Sequence, residues 1–221
     1  MTEENGMPLD GRSDVSTAFF DRVFDGQSVM AILRGLSPAE TVAVCERAWD
    51  IGLEVVEVPI QTDDALPSLQ AAIAAGRERG RQVGAGTVVT VEQVHAALGQ
   101  GAAFTVAPGL DEEVLRACHE VGLPHLPGVA TATEISKARR AGLRWLKAFP
   151  AAELGPSWIK AQLAPFPGTR FVATGGMDAR NAGTFLDAGA RVVAVGSALN
   201  DPAQIELLAA RVRAVEGPPG R

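Results

Sequence analysis

The sequence predicts an α/β fold, a closed (β/α)8 TIM barrel with an N-terminal helix capping one end. Three observations lead there. Eight short apolar runs alternate with amphipathic stretches over most of the chain, and alternating strands and helices pair in parallel through right-handed crossovers. Several helical stretches end in a glycine shortly before the next apolar run, at Gly52, Gly101, Gly122, Gly142 and Gly189, as helices that stop in a left-handed conformation do. The glycine-rich turn Gly84-Ala85-Gly86-Thr87 is too short for the dinucleotide fingerprint of an open doubly wound sheet. That open sheet is the alternative; eight units most simply close into a barrel.

Each element follows in order. Residues 1–13 carry Gly, Asp, Glu and Ser with no apolar period and are expected to form a disordered leader. Val15–Gly26 places Phe19, Phe20, Val23 and Phe24 in helical register and is expected to cap the bottom of the barrel. The first strand is Val29–Leu33, after which Ser37 caps a helix over Pro38–Asp50. Strands follow at Glu54–Ile60 and Gln82–Ala85, and Thr90 starts a helix over Val91–Gln100. Ala103–Ala107, His125–Leu126, Arg144–Ala148 and Arg170–Ala173 supply strands four to seven. A helix over Asn181–Ala188, closed by Gly189, leads to the eighth strand, Arg191–Val195. Residues 216–221 read as a frayed tail, which leaves a single domain over 14–215.

Composition narrows the function. A chain of 221 residues, 47% hydrophobic, has ample material for one sizeable core. Its net charge of -6, without a lysine or arginine cluster, argues against nucleic acid as the main partner. No secretory or transmembrane stretch is visible, and Cys45 and Cys118 make no disulfide framework, so a reducing cytoplasm is the expected location. His95, His119 and His125 do not fall at metal-ligand spacing, and no metal is expected.

Lys147 is the residue that demands a chemical explanation, because it lies in Arg144-Trp145-Leu146-Lys147-Ala148-Phe149-Pro150, where a strand buries side chains. Flanked by Trp145, Leu146 and Phe149, its amine would fall from about 10.4 toward the ~7–8 of a working nucleophile. A free amine at neutral pH attacks ketones. The alternative is a strand lysine that alternates outward to solvent. The other two lysines, Lys137 and Lys160, fall on helices and read as peripheral.

Chemistry in this architecture collects at the carboxyl ends of the strands. Those ends supply Arg34, then Glu57 with Gln61, Gly86-Thr87, Pro108-Gly109, Gly128–Thr131, Lys147 to Pro150 with Phe149, Thr174-Gly175-Gly176, and Gly196-Ser197. Glu57 stands among apolar neighbours, where an unpaired carboxylate costs several kcal/mol. It is either a buried ion-pair partner of Lys147 or a proton carrier with a raised pKa. The turns at Gly175-Gly176 and Gly196-Ser197 follow strands seven and eight, where such barrels hold phosphate on backbone N–H groups. Ordinary turn geometry, with Ser197 as a helix cap, explains the same residues.

Taken together, VVEVPIQT (55–62), GAGTV (84–88), APGL (107–110), PGVATATE (127–134), LKAFPAAELGP (146–156), TGG (174–176) and GSAL (196–199) resemble the class I KDPG/KHG aldolase family over roughly Val29 to Leu199. The resemblance implies a barrel that assembles as a homotrimer and a lyase that needs no cofactor. It implies Lys147 as the Schiff-base lysine, Glu57 as the proton shuttle, phosphate on Gly175, Gly176, Gly196 and Ser197, and Thr87 and Pro108 at the pyruvate end. The implied ligands are a phosphorylated keto-deoxy sugar acid, pyruvate and glyceraldehyde 3-phosphate.

Two departures bear on the substrate. Gln61 stands where phosphogluconate members of the family carry the arginine for the pyruvate carboxylate, while Arg34 in AILRGLSPAE (31–40) is similar to the branch acting on 2-dehydro-3-deoxy-6-phosphogalactonate. Thr174, by contrast, is similar to the phosphogluconate branch. The expectation is the galactonate substrate, with gluconate as the alternative. The rival classes are a non-covalent phosphate-binding barrel isomerase or synthase, and a sugar-phosphate binding protein.

Overall fold

The computed structural model describes residues 15–201, 203–208 and 210; the expected leader at 1–13 and tail at 216–221 lie outside the described residues. Among the described residues nine strands form one parallel sheet: β1 (Val29–Ile32), β2 (Val56–Pro59), β3 (Val83–Gly86), β4 (Thr105–Val106), β5 (His125–Leu126), β6 (Gly128–Val129), β7 (Trp145–Ala148), β8 (Arg170–Thr174) and β9 (Val192–Val195). Their order is β5-β4-β3-β2-β1-β9-β8-β7-β6. The two ends of that order, β5 and β6, are consecutive in the chain and separated only by Pro127. The sheet therefore closes on itself as a barrel of eight staves.

The split stave differs from the expectation that the fifth strand stops at Leu126. Proline lacks the N–H that a ladder uses, so it reads as a strand end. Its carbonyl still accepts from Lys147 N at 2.9 Å. His125 pairs with Thr105 before the proline, and Gly128 pairs with Lys147 after it.

Around the barrel run α1 (Val15–Val23), α2 (Pro38–Asp50), α3 (Leu66–Glu78), α4 (Val91–Gln100), α5 (Glu112–Glu120), α6 (Ala132–Arg140), α7 (Ala151–Leu154), α8 (Pro156–Leu163) and α9 (Ala182–Asp187). Their starts are built from local chemistry. Ser37 and Glu40 form a reciprocal capping box on α2, and Thr131 and Glu134 form one on α6, each satisfying donors that the first turn leaves open. Thr90 caps α4, which ends on Gly101 at φ 83°. Among the described residues no helix is long and apolar enough to cross a membrane.

Alternation along each strand divides two cores. Outward side chains such as Val56, Val58, Leu146 and Val193 pack beneath the helices. Inward ones, including Met30, Phe104, Leu126, Trp145 and Val172, fill the barrel together with Phe19, Phe20 and Phe24 at its lower end. The expected cap is thus α1 and the residues just after it. Phe20 sits edge-on to Phe19 (centroids 5.2 Å apart) and Phe104 (5.6 Å), and Phe24 lies 4.9 Å from Trp145. Burying each such ring contributes on the order of 1.5–3 kcal/mol. Asp21 anchors the cap by accepting from Trp145 Nε1 (2.7 Å) and Arg170 Nη1 (2.5 Å). These rings fill the lower end of the barrel, opposite the carboxyl ends of the strands.

Candidate active site

Lys147 lies two residues after inward-facing Trp145 on β7, so the same alternation turns it into the barrel rather than out to solvent. It is 4% exposed. Burial lowers its pKa, the Glu57 carboxyl opposes that shift, and the Arg34 guanidinium adds to it. Its Nζ lies 5.2 Å from the centre of the Phe149 ring. Lys137, by contrast, is exposed and paired with Glu112 at 3.0 Å, and Lys160 is exposed.

Glu57 points inward from β2 and is fully buried. Burial raises its pKa, while Lys147 and Arg34 pull it down. Neither carboxyl oxygen has a hydrogen-bond partner among the described residues, so the ion-pair alternative does not describe this structure. For both side chains burial, the first cause, favours the neutral form: a free amine and a carboxylic acid.

Above Lys147 opens a cavity of about 600 Å³ whose lining includes Arg34, Lys147, Phe149, Thr174, Gly175, Gly176, Gly196 and Ser197, while Glu57 lies outside that lining. Eight of the residues singled out in the sequence thus meet at one opening. Leu36, Met177, Asp178 and Leu199 also line it; sequence reasoning missed these four, three on loops and Leu199 on a short 3-10 helix over Ser197–Asn200, with no periodic signal. Thr174 is buried and its hydroxyl donates to Val172 O at 3.4 Å. The glycine turn is held from behind: Asn181 Nδ2 donates to Gly176 O at 2.8 Å, and Asp178 accepts from Arg180 N and Asn181 N. Gly176 has φ 70° and a Cβ there would lie 2.6 Å from Ala152 Cβ, so both conformation and space call for glycine.

The other candidates stand apart from this opening. Thr87 has φ 57°, an outlying backbone for a β-branched residue, and its Oγ1 accepts from Arg34 Nη2 at 3.4 Å. Such strain costs about 1–3 kcal/mol and clusters at functional sites. Pro108 packs on the closing stave, where a Cβ on Gly128 would lie 2.0 Å from Pro108 O. Gln61 is exposed and lines a separate groove of about 300 Å³ with Ser37, Thr62 and Asp64, not the cavity over Lys147.

The profile described as KDPG and KHG aldolase matches residues 21–213. The chain belongs to that family. It is an aldolase, an aldehyde-lyase. It is 37% identical to the 2-dehydro-3-deoxy-6-phosphogalactonate aldolase of Escherichia coli strain K12 over 172 residues, covering 77% of this chain and 83% of that one. It is 41% identical over 156 residues to the 2-dehydro-3-deoxy-phosphogluconate aldolase of Treponema pallidum, covering 69% of this chain and 72% of that one. A solved KDPG aldolase of Legionella pneumophila, with pyruvate captured as a covalent carbinolamine, superposes with TM-score 0.76 at 29% identity, over 87% of this aldolase and 96% of that chain.

Proposed function

We propose that this aldolase cleaves 2-dehydro-3-deoxy-6-phosphogalactonate to pyruvate and glyceraldehyde 3-phosphate through a Schiff base on Lys147. The observation that carries the reading is a buried lysine with a lowered pKa at the floor of the cavity. Neutral Lys147 adds to the C2 ketone. Glu57, whose acid form burial favours, gives its proton to the carbinolamine oxygen, which leaves as water. The iminium so formed is the electron sink. Glu57, now a carboxylate, takes the C4 hydroxyl proton as the C3–C4 bond breaks and the aldehyde departs. It returns that proton to C3 of the enamine, and water releases pyruvate and the free amine.

Arg34 is the proposed partner of the substrate carboxylate, since it lines the cavity and bears a planar pair of donors. Gly175, Gly176, Gly196 and Ser197 line the end proposed for the phosphate, where anions take backbone N–H groups. Thr87, tied to Arg34, would steady the pyruvyl end. Gln61, which lines the neighbouring groove, is given no role in this scheme. Assembly as a homotrimer in the cytoplasm belongs to the same reading.

Two observations favour the gluconate epimer as the second reading: the Thr174 hydroxyl in the cavity wall and the 41% identity to a phosphogluconate aldolase. The epimers differ at C4, and a wall hydroxyl discriminates by which of them leaves a polar group unpaired. Intact mass after incubation with pyruvate and borohydride, with retro-aldol assays on both epimers, decides. A reduced pyruvyl adduct mapped to Lys147 and faster cleavage of the galactonate epimer are expected. Faster cleavage of the other epimer moves the substrate to the second reading, and turnover without any adduct replaces the covalent mechanism by a non-covalent one.

A further inference from the structure

Gly86 ends β3 beside Pro59, and its backbone lies outside the left-handed region, so no turn requires a glycine there. Its carbonyl is fixed by Ile60 N at 2.8 Å. What excludes a side chain is room. A Cβ on Gly86 would lie 2.8 Å from Glu57 Oε1, 3.0 Å from Glu57 Cδ and 3.3 Å from Pro59 Cα. Gly84, on the same strand, is different: a Cβ there would strike the Phe104 ring at 2.3 Å, which is core packing. At Gly86 the group met is the carboxyl, and that carboxyl has no hydrogen bond to hold it among the described residues.

We propose that Gly86 is a positioning residue for the reaction: its bare α-carbon is the shelf against which the Glu57 carboxyl rests, and this contact sets where the carboxyl stands relative to Lys147. The inference rests on the proposed role of Glu57 as proton carrier. A methyl at position 86 pushes the carboxyl away while leaving Arg34, Lys147 and the glycine turns untouched. A displacement well under an ångström at a proton-transfer group is expected to lower kcat about 10–100-fold, since ~1 Å costs about 100-fold. KM should stay within about twofold, because binding groups do not move.

The test is a double-mutant cycle of Gly86→Ala and Glu57→Gln, read as kcat, KM and the pH dependence of kcat. Expected are slow turnover in each single variant, a displaced pH profile in Gly86→Ala, and no further loss when Gly86→Ala is added to Glu57→Gln. A full additional loss in the double variant overturns the proposal, because the methyl then acts on something other than proton transfer. Glu57→Gln slow with Gly86→Ala normal overturns it too, with the role of Glu57 intact. Glu57→Gln with normal turnover overturns that role and the inference together. Should Gly86→Ala fold too poorly to assay, its stability beside the shorter Glu57→Asp decides. No penalty there identifies Glu57 as the group met, and an undiminished penalty places the clash at Pro59 and overturns the proposal.

Discussion

Acid is expected to weaken the barrel through one residue, His125. It is buried on β5, its Nδ1 lies 2.8 Å from Thr105 Oγ1, and Nε2 has no partner among the described residues. The groups around it are the Thr105 hydroxyl, the Cys118 thiol 3.5 Å from that hydroxyl, Ser16 at the His125 backbone N–H, and the Asp111 carboxylate acting at longer range. Burial pushes the imidazole down from 6.5 to about 4, against a smaller upward pull from Asp111. Between those values the unfolded chain binds a proton that the native chain does not, so stability falls as pH drops from about 6.5 and levels off below about 4. At about 1.4 kcal/mol per pH unit the interval amounts to about 3 kcal/mol, a large share of a typical domain's stability. The assay is urea unfolding from about pH 7 to about pH 4 for the native chain and His125→Asn, comparing slopes rather than absolute values. The variant should lose about 3 kcal/mol less over that range. Parallel slopes would refute the reasoning, since they would mean that His125 is protonated in the native state or reached by water.

Arg34→Ala should weaken capture of the pyruvyl end by about 10–100-fold, the worth of a hydrogen bond to a charged group, seen as a higher pyruvate concentration for half-maximal borohydride adduct. Because the Arg34 charge also lowers the Lys147 pKa, the rise of activity with pH should move to more alkaline values; an unmoved profile would separate the two residues. Lys147→Met should form no adduct and yet be more stable near neutral pH, because burial makes the native lysine hold its proton less tightly than the unfolded one does. That gain should fade above about pH 10.5, where neither state is protonated, and denaturant midpoints at the two pH values check it.

Much of this was legible in the sequence because strands and helices announce themselves locally. The eight apolar runs are all strands, with bounds moved by a residue or two, and the helices over Pro38–Asp50 and Val91–Gln100 start after the caps expected for them. The direction of Lys147 was open until packing determined which side of β7 carries Trp145; after that, parity decides it. The continuation through Pro127 was hidden because a missing donor is visible in sequence and a surviving acceptor is not. Loop paths are the least legible. Gln61 was grouped with the catalytic face by its place after a strand, and two residues of turn carry it into a neighbouring groove. The lack of room for a side chain at Gly86 beside Glu57 involves different strands and follows only from three-dimensional spacing.

The neutrality favoured by burial fits the proposed ionic reaction. A charged lysine facing a carboxylate would form a stable pair, and the amine would have no lone pair to offer. Burial of both groups, with the lower end filled by aromatic rings, favours instead a free amine and a carboxylic acid. In the proposed mechanism the proton transfer that forms the iminium creates two opposite charges at once, on the Lys147 nitrogen and on Glu57. The new charges stabilise each other most strongly in the low-dielectric interior that disfavoured either alone. On this proposal the site is poised for a state that exists only after substrate has bound, and the location of the Glu57 carboxyl becomes a variable on which turnover is expected to depend.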